Sequence, residues 1–380
     1  MWERGVPQAQ VLRELRTFRD KEVSHSSGRV FCAMCTTPLG ISVRSHSMFI
    51  EANLGNPGLY PGTVEMADRV IAAAGSLLHG KGLPGLMVEG ATEGNIIALW
   101  AARNSLRRKK VLYGKTAHFS IRKACDLLGL KGVEIPLDAG YRMDVGAAKE
   151  QLDGSVVAVV GVAGTTELGV VDPIPELARL CHSQCVLHVD AALGGFLLPF
   201  LPNRNFPPFD FRNPGVSSIV LDGHKMGMAA IPSSILLFRN PKFIEPIAVE
   251  TPYLTSPYQT SLLGTRCSAG VAGTYAAFRT MGKEGYRKLA RDVLEKTQWL
   301  ALACRESGLN PVIDPPLNIL ALRMRRPQAV VDAMRRKGWW LSTARYPPSL
   351  RIVVMPPATK ISLRRLMKDL SMVTGKMGER

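Results

Sequence analysis

The feature that most restricts the fold is an alternation of short apolar runs with helix-like stretches through the middle of the chain. Runs at 110–113, 133–136, 156–162, 186–190, 218–221 and 234–238 read as strands. Several are apolar on both faces, as parallel strands covered by helices must be. Helical patterns at about 92–106, 119–129 and 173–183 accompany them, and Asp172 and Pro173 suit the cap and first position of the last. This alternation predicts a doubly wound α/β domain. Past residue 280 the pattern changes: helical stretches near 284–308 and 327–337 flank strand-like segments at 319–322 and 350–355. The expected organisation is an N-terminal helix and loop over 1–45, a large domain over 46–282 and a smaller C-terminal α+β domain over 283–380. The Pro-rich stretch 201–214 reads as an ordered surface loop, and there is no internal repeat.

Composition narrows the class. An apolar share of 46% over 380 residues excludes a disordered or fibrous chain. No run of about 18 apolar residues occurs, so no membrane span is expected. The N-terminus lacks the basic-then-apolar pattern of a secretory signal, and the expected compartment is the cytoplasm. The formal charge of +17 favours anionic partners, but the basic residues are dispersed, which reads as a solvated surface rather than a nucleic-acid groove. The seven cysteines follow no disulfide framework and read as reduced thiols. Cys32-x2-Cys35 and the stretch from Cys181 to His188 contain zinc-ligand types. The second straddles a helix–strand junction whose ligands would not converge on one ion, so no metal is expected.

The chemistry concentrates at strand ends. Asp190 closes a buried run in His188-Val189-Asp190-Ala191-Ala192, and Lys225 follows 35 residues later in Leu221-Asp222-Gly223-His224-Lys225. Neighbouring strands would present both side chains at their carboxyl ends, where open α/β sheets bind ligands. A lysine there can form an imine with an aldehyde, and an aspartate can keep a pyridine nitrogen protonated. Those are the two demands of pyridoxal phosphate chemistry. A phosphate cup is present in Glu89-Gly90-Ala91-Thr92-Glu93-Gly94-Asn95, just before an apolar helix. His118 ends another strand–loop–helix passage and suits a ring stacked on the cofactor, while Gly164-Thr165-Thr166 would point hydroxyls into the same crevice.

These runs resemble the group II pyridoxal phosphate-dependent amino-acid decarboxylases of fold type I, and most closely their archaeal tyrosine/aspartate branch. The resemblance extends from about Phe31 to Pro357, through Met48-Phe49-Ile50-Glu51-Ala52-Asn53, the cup, and Glu250-Thr251-Pro252-Tyr253-Leu254-Thr255. It also takes in Leu350-Arg351-Ile352-Val353-Val354-Met355-Pro356. It implies a large domain built on a mostly parallel seven-stranded sheet and a homodimer with shared active sites. Lys225 would carry the cofactor, Asp190 would partner its ring nitrogen, and His118 would stack on the ring. Ala91, Thr92 and His224 would hold the phosphate, with Thr165 and Ala192 also lining the cofactor site. Tyr253 would be the loop tyrosine that protonates the product carbon. The implied reaction turns L-tyrosine into tyramine, or L-aspartate into β-alanine, for methanofuran or coenzyme A synthesis. The other readings are a pyridoxal phosphate lyase or transferase acting on aminoacyl-tRNA or a phosphorylated long-chain base, and an RNA-binding protein on an inactive scaffold.

Four departures from the family pattern stand out. Pro38-Leu39-Gly40 replaces Pro-His-Pro, Pro357 replaces a histidine, Gly94 replaces an alanine, and Cys267 follows Gly264-Thr265-Arg266 where the family has serine.

Overall fold

The computed structural model describes residues 4–182, 184–201, 206–266 and 268–379. The large sheet contains β1 (Gly85–Val88), β2 (Lys110–Gly114), β3 (Lys131–Ile135), β4 (Val156–Val162), β5 (Val186–Asp190), β6 (Val216–Asp222) and β7 (Ser234–Phe238). Their spatial order is β1-β7-β6-β5-β4-β2-β3. Strand β7 runs antiparallel to both neighbours, and every other pairing is parallel. Strands β4, β5, β6 and β7 are buried at every position, which is why their sequences are nearly continuous apolar runs. At the β3 edge the exposed Lys131 and Glu134 discourage further pairing.

Helices along the same stretch are α1 (Gln8–Arg19), α2 (Gly40–Met48), α3 (Pro61–Leu77), α4 (Ala91–Leu106), α5 (Phe119–Leu127), α6 (Val145–Glu150) and α7 (Ile174–Cys181). The largest apolar core lies against the sheet and includes Leu112, Val159, Leu187, Ile219 and Leu237. Helix α1 buries none of its residues. The hairpin of β8 (Val249–Glu250) and β9 (Tyr258–Gln259) then leads to the long α8 (Ser268–Glu306). This helix is interrupted at Gly282, whose φ of 54° suits glycine.

The last hundred residues add β10 (Ile319–Arg323), α9 (Pro327–Arg336), β11 (Ser342–Arg345), β12 (Pro348–Val353) and α10 (Lys360–Met377). The three strands form an antiparallel sheet with β12 in the middle. Leu320, Ile352 and Leu366 share a second core with Trp339 and with Phe31 from the N-terminal segment. Phe31 donates its backbone amide to the Trp340 carbonyl, so the chain's start is stitched into its end.

Several sequence expectations need correction. Asp172 does not cap α7; its buried carboxylate accepts the Met143 and Val162 amides at 2.8 Å each, tying the β4 end to the preceding loop. Of the stretch 201–214, residues 202–205 lie outside the described residues, and Phe209, Asp210 and Phe211 are buried rather than on the surface. Residue 183, assigned to the helix before β5, also lies outside the described residues. Helix α8 starts well before the expected 284.

Candidate active site

Strands β1, β4, β5 and β6 end on the same side of the sheet as the α4 and α5 starts, around a cavity of about 540 Å³. Seven of the nine expected site residues line it: Ala91, Thr92, His118, Asp190, Ala192, His224 and Lys225. Thr165 does not; it is fully buried and its hydroxyl accepts the Val170 amide within its own turn. Thr166 takes the place at the wall. Tyr253 lies in the β8–β9 loop, 84% exposed and away from this cavity.

The cup follows from close helix–sheet contact. A Cβ on Gly94 would stand 2.5 Å from the Val220 side chain, so the departure from alanine accompanies a bulky neighbour on β6. Helix starts leave their first amides without intrahelical partners. In α4 the Ala91 amide is donated to Asp222 Oδ1 at 2.9 Å, and Glu93 Oε2 accepts the Glu89 amide at 2.7 Å. Ala91 is thus committed to Asp222, and among the cup positions Thr92 lines the cavity at the helix start. The His224 Nδ1 lies 2.7 Å from the Ser233 carbonyl and 3.2 Å from the Ser233 amide, which fix the ring beside the start of β7.

Lys225 is paired with a carboxylate other than Asp190. Its Nζ lies 2.7 Å from Oδ2 of Asp222, three residues earlier at the end of β6. Burial alone would lower the lysine's pKa, but the charge and hydrogen bond of Asp222, together with the charge of Asp190, outweigh burial and raise it. The same ion pair, helped by His224, holds the Asp222 carboxyl below its ordinary range despite burial. Asp222 also accepts the Ser234 hydroxyl. It was overlooked although it stands inside the Asp-Gly-His-Lys run; an aspartate three residues before a lysine at a strand end was the available signal.

Asp190 has different neighbours. Its Oδ2 accepts Asn95 Nδ2 at 2.9 Å and its Oδ1 accepts the Ala192 amide at 3.1 Å. Because a carboxylate only accepts, the Asn95 amide nitrogen must face it, and Asn95 Oδ1 then faces His188 Nε2 at 2.8 Å. His188 therefore carries its proton on Nε2, and burial lowers its pKa to about 4, so it is neutral near pH 7. Asn95 Nδ2 also donates to Ser120 Oγ at 2.9 Å, and that hydroxyl lies 2.9 Å from His118 Nδ1. His118 accepts there, which leaves its proton on Nε2; burial lowers its pKa as well. One asparagine in the cup thus orients both the carboxylate and the histidine. A search for charged groups passes over an amide, which is why Asn95 was missed.

These residues fit pyridoxal phosphate. A lysine paired with one buried carboxylate shares the cavity with a second, a helix start and His224 stand at its wall, and Ala192 contributes a small side chain there. Behind it, Gly195 lets the turn after β5 pack on β6, where an added Cβ would meet that of Leu221 at 2.6 Å. Among the described residues no group of His, Cys, Asp and Glu could hold a metal; Cys267 lies outside them.

Comparison with known proteins decides the assignment. Residues 50–314 match the pyridoxal-dependent decarboxylase conserved domain. The chain belongs to that family. It is 42% identical to a probable L-aspartate decarboxylase of Archaeoglobus fulgidus, over 96% of this chain and 99% of that protein. It is also 42% identical to a probable L-tyrosine/L-aspartate decarboxylase of Methanothermobacter thermautotrophicus, covering 92% and 98%. Among solved structures it resembles the Burkholderia pseudomallei sphingosine-1-phosphate lyase, with a TM-score of 0.90 and 27% identity over 99% of this chain and 92% of that one. The Lactobacillus brevis glutamate decarboxylase has the same fold, with a TM-score of 0.90 at 19% identity, covering 100% and 95%. The chain is a pyridoxal phosphate-dependent amino-acid decarboxylase of fold type I. No helix among the described residues is long and apolar enough to cross a membrane.

Proposed function

We propose that this decarboxylase acts on L-aspartate, L-tyrosine or both, with Lys225 and Asp190 as its cofactor residues. The products would be β-alanine and tyramine, which suit coenzyme A and methanofuran synthesis. The observation that carries the site assignment is the pair of buried carboxylates at adjacent strand ends, only one of which is neutralised by Lys225. The substrate assignment is supported by the named activities of the relatives that share about two fifths of its residues.

Pyridoxal phosphate, when bound, supplies an aldehyde that condenses with amines and a cationic ring that accepts the electron pair left as carbon dioxide departs. Lys225 would hold that aldehyde and yield it to the substrate amine. Asp222 keeps the lysine's Nζ protonated and aimed while the site is formed. Asp190, fixed by Asn95, would hold a proton on the ring nitrogen by charge. His118, its orientation set by Ser120, would cover the ring and exclude water. Thr92 and His224 would bind the phosphate at the α4 start.

The proton for the product carbon would come from Tyr253. Its loop lies away from its own cavity, which favours a site completed by a second copy of the chain. Ile231, Leu262 and Leu263 line the cavity yet stay 57%, 43% and 41% exposed, an apolar rim that a partner would cover. Carbon dioxide release from aspartate, tyrosine and glutamate tests the substrate reading. Release from glutamate alone, or from none of the three by fully loaded protein, would overturn it.

A further inference from the structure

A second cavity of about 300 Å³ lies beside the first and shares His118 and Thr166 with its wall. The loop after β2, the start of α5 and the β11–β12 hairpin enclose it. Its charge is opposite in character. The cofactor cavity is walled by four carboxylates, Glu89, Glu93, Asp190 and Asp222, and its one lysine is bound to Asp222. Among the described residues that line it, Lys225 is the only lysine or arginine, so this wall offers a second carboxylate on a substrate no uncommitted lysine or arginine. The neighbouring chamber has Lys115, Arg122 and Arg345 at its wall. None of the three has a salt-bridge partner among the described residues. The Tyr346 ring holds two of them, with Lys115 Nζ 4.6 Å and the Arg345 guanidinium 6.0 Å from its centroid.

Two carboxylates share the chamber with these three cations. Glu167 directs Oε2 to the Tyr346 backbone amide at 2.8 Å and its charge also acts on Arg345, while Glu134 is exposed on the edge strand; among the described residues neither makes a salt bridge to Lys115, Arg122 or Arg345. The nearby buried cation is Arg351, whose donors go to the Thr166 and Cys32 carbonyls and the Ser342 hydroxyl. Carboxylate recognition needs donors that are not already committed.

We propose that this chamber is the subsite for the distal carboxylate of an acidic amino-acid substrate, with Lys115 and Arg345, held on Tyr346, as its cations and Arg122 at its rim. The inference rests on the decarboxylase reading and makes the chain better suited to aspartate than to tyrosine. All three cations are exposed, so their removal should leave the fold intact.

The test is steady-state kinetics of the full-length, cofactor-loaded protein with L-aspartate and with L-tyrosine, comparing wild type, Lys115→Gln, Arg345→Gln and the double variant. The double variant should raise KM for aspartate about 10-fold or more, with kcat changed less than about 3-fold and KM for tyrosine nearly unmoved. Succinate should inhibit the wild type competitively and lose that potency in the double variant. Arg122→Gln should shift aspartate KM less than either single variant. An unchanged aspartate KM in the double variant, or equal shifts for both substrates, overturns the subsite. So does a wild type that decarboxylates tyrosine but not aspartate, and that result leaves the family reading intact. If neither amino acid releases carbon dioxide, the substrate reading fails separately. Direct succinate binding then decides the chamber: loss of binding in the double variant supports it, and equal binding in both proteins overturns it.

Discussion

Asp190 and Asp222 are the same residue type, buried at the ends of neighbouring parallel strands, yet their surroundings give them different work. Asp222 is saturated: a lysine, a helix-start amide and a hydroxyl all donate to it. Asp190 receives only neutral donors, from Asn95 and the Ala192 amide. Lys225 touches Asp222 alone and its charge reaches Asp190 only beyond salt-bridge range, and a buried carboxylate without a cation in contact is costly. Asp190 therefore retains a demand for positive charge that Asp222 has already met. A protonated pyridine ring meets that demand, so cofactor binding should stabilise the fold as well as enable the chemistry. The comparison teaches that the partner set, rather than the residue or its depth, assigns the role.

The comparison can be broken in several places, and the largest effect is expected at the lysine. Lys225→Ala should abolish turnover while the domain stays folded, and borohydride treatment of the wild type should fix the cofactor to Lys225. Peptide mapping that finds the label on another lysine removes the basis of the comparison. Next, Asp190→Asn should lower kcat by about a thousand-fold while some cofactor remains bound, because an amide holds no proton on the ring by charge. Near-normal turnover in that variant would make Asp190 structural.

Tyr253→Phe should cost about a hundred-fold in amine formation with little loss of cofactor, since only the proton donor is removed. Aldehyde or ammonia should appear as side products. Mixing Tyr253→Phe with Lys225→Ala subunits should restore part of the activity if the loop serves the neighbouring site. A mixture that stays inactive despite proven subunit exchange contradicts the shared site.

The smallest effect sharpens the other half of the pair. Asp222 raises the Lys225 pKa, so in cofactor-free protein the amine is protonated and slow toward amine-selective reagents. Asp222→Asn should speed labelling of Lys225 at pH 8 about 10-fold or more, one pKa unit being a factor of ten in free amine. The linked stability has a definite sign. The contribution of Asp222 is present above its ordinary value of 3.8 and is lost as pH falls through its lowered folded value. That of Lys225 is complete below 10.5 and is lost as pH rises through its raised folded value. Unfolding of wild type and Asp222→Asn should therefore differ between those limits and converge outside them.

Much of this architecture was legible in the chain because parallel strands buried on both faces leave continuous apolar runs. Strands β4, β5 and β7 fall where those runs are. Elements defined by tertiary contact left less trace: β1 is four residues with glycine at its start, and α10 carries a capping box of Thr359 and Ser362 within a basic, weakly patterned stretch. The Pro-rich stretch after residue 200 was misjudged because composition does not reveal that Phe209 and Phe211 turn inward. At the site, ionisable residues and glycines announced themselves. The neutral Asn95 and the adjacent Asp222 did not, since their importance lies in which donor meets which acceptor across different strands.

The central claim is that Asp190, and not Asp222, holds the proton on the cofactor's ring nitrogen. Nitrogen NMR of the enzyme loaded with pyridoxal phosphate labelled at the ring nitrogen reads that proton directly. The wild type and Asp222→Asn should both show a protonated ring nitrogen near pH 7, and Asp190→Asn should show an unprotonated one. A ring nitrogen that stays protonated in Asp190→Asn and loses its proton in Asp222→Asn would contradict the account.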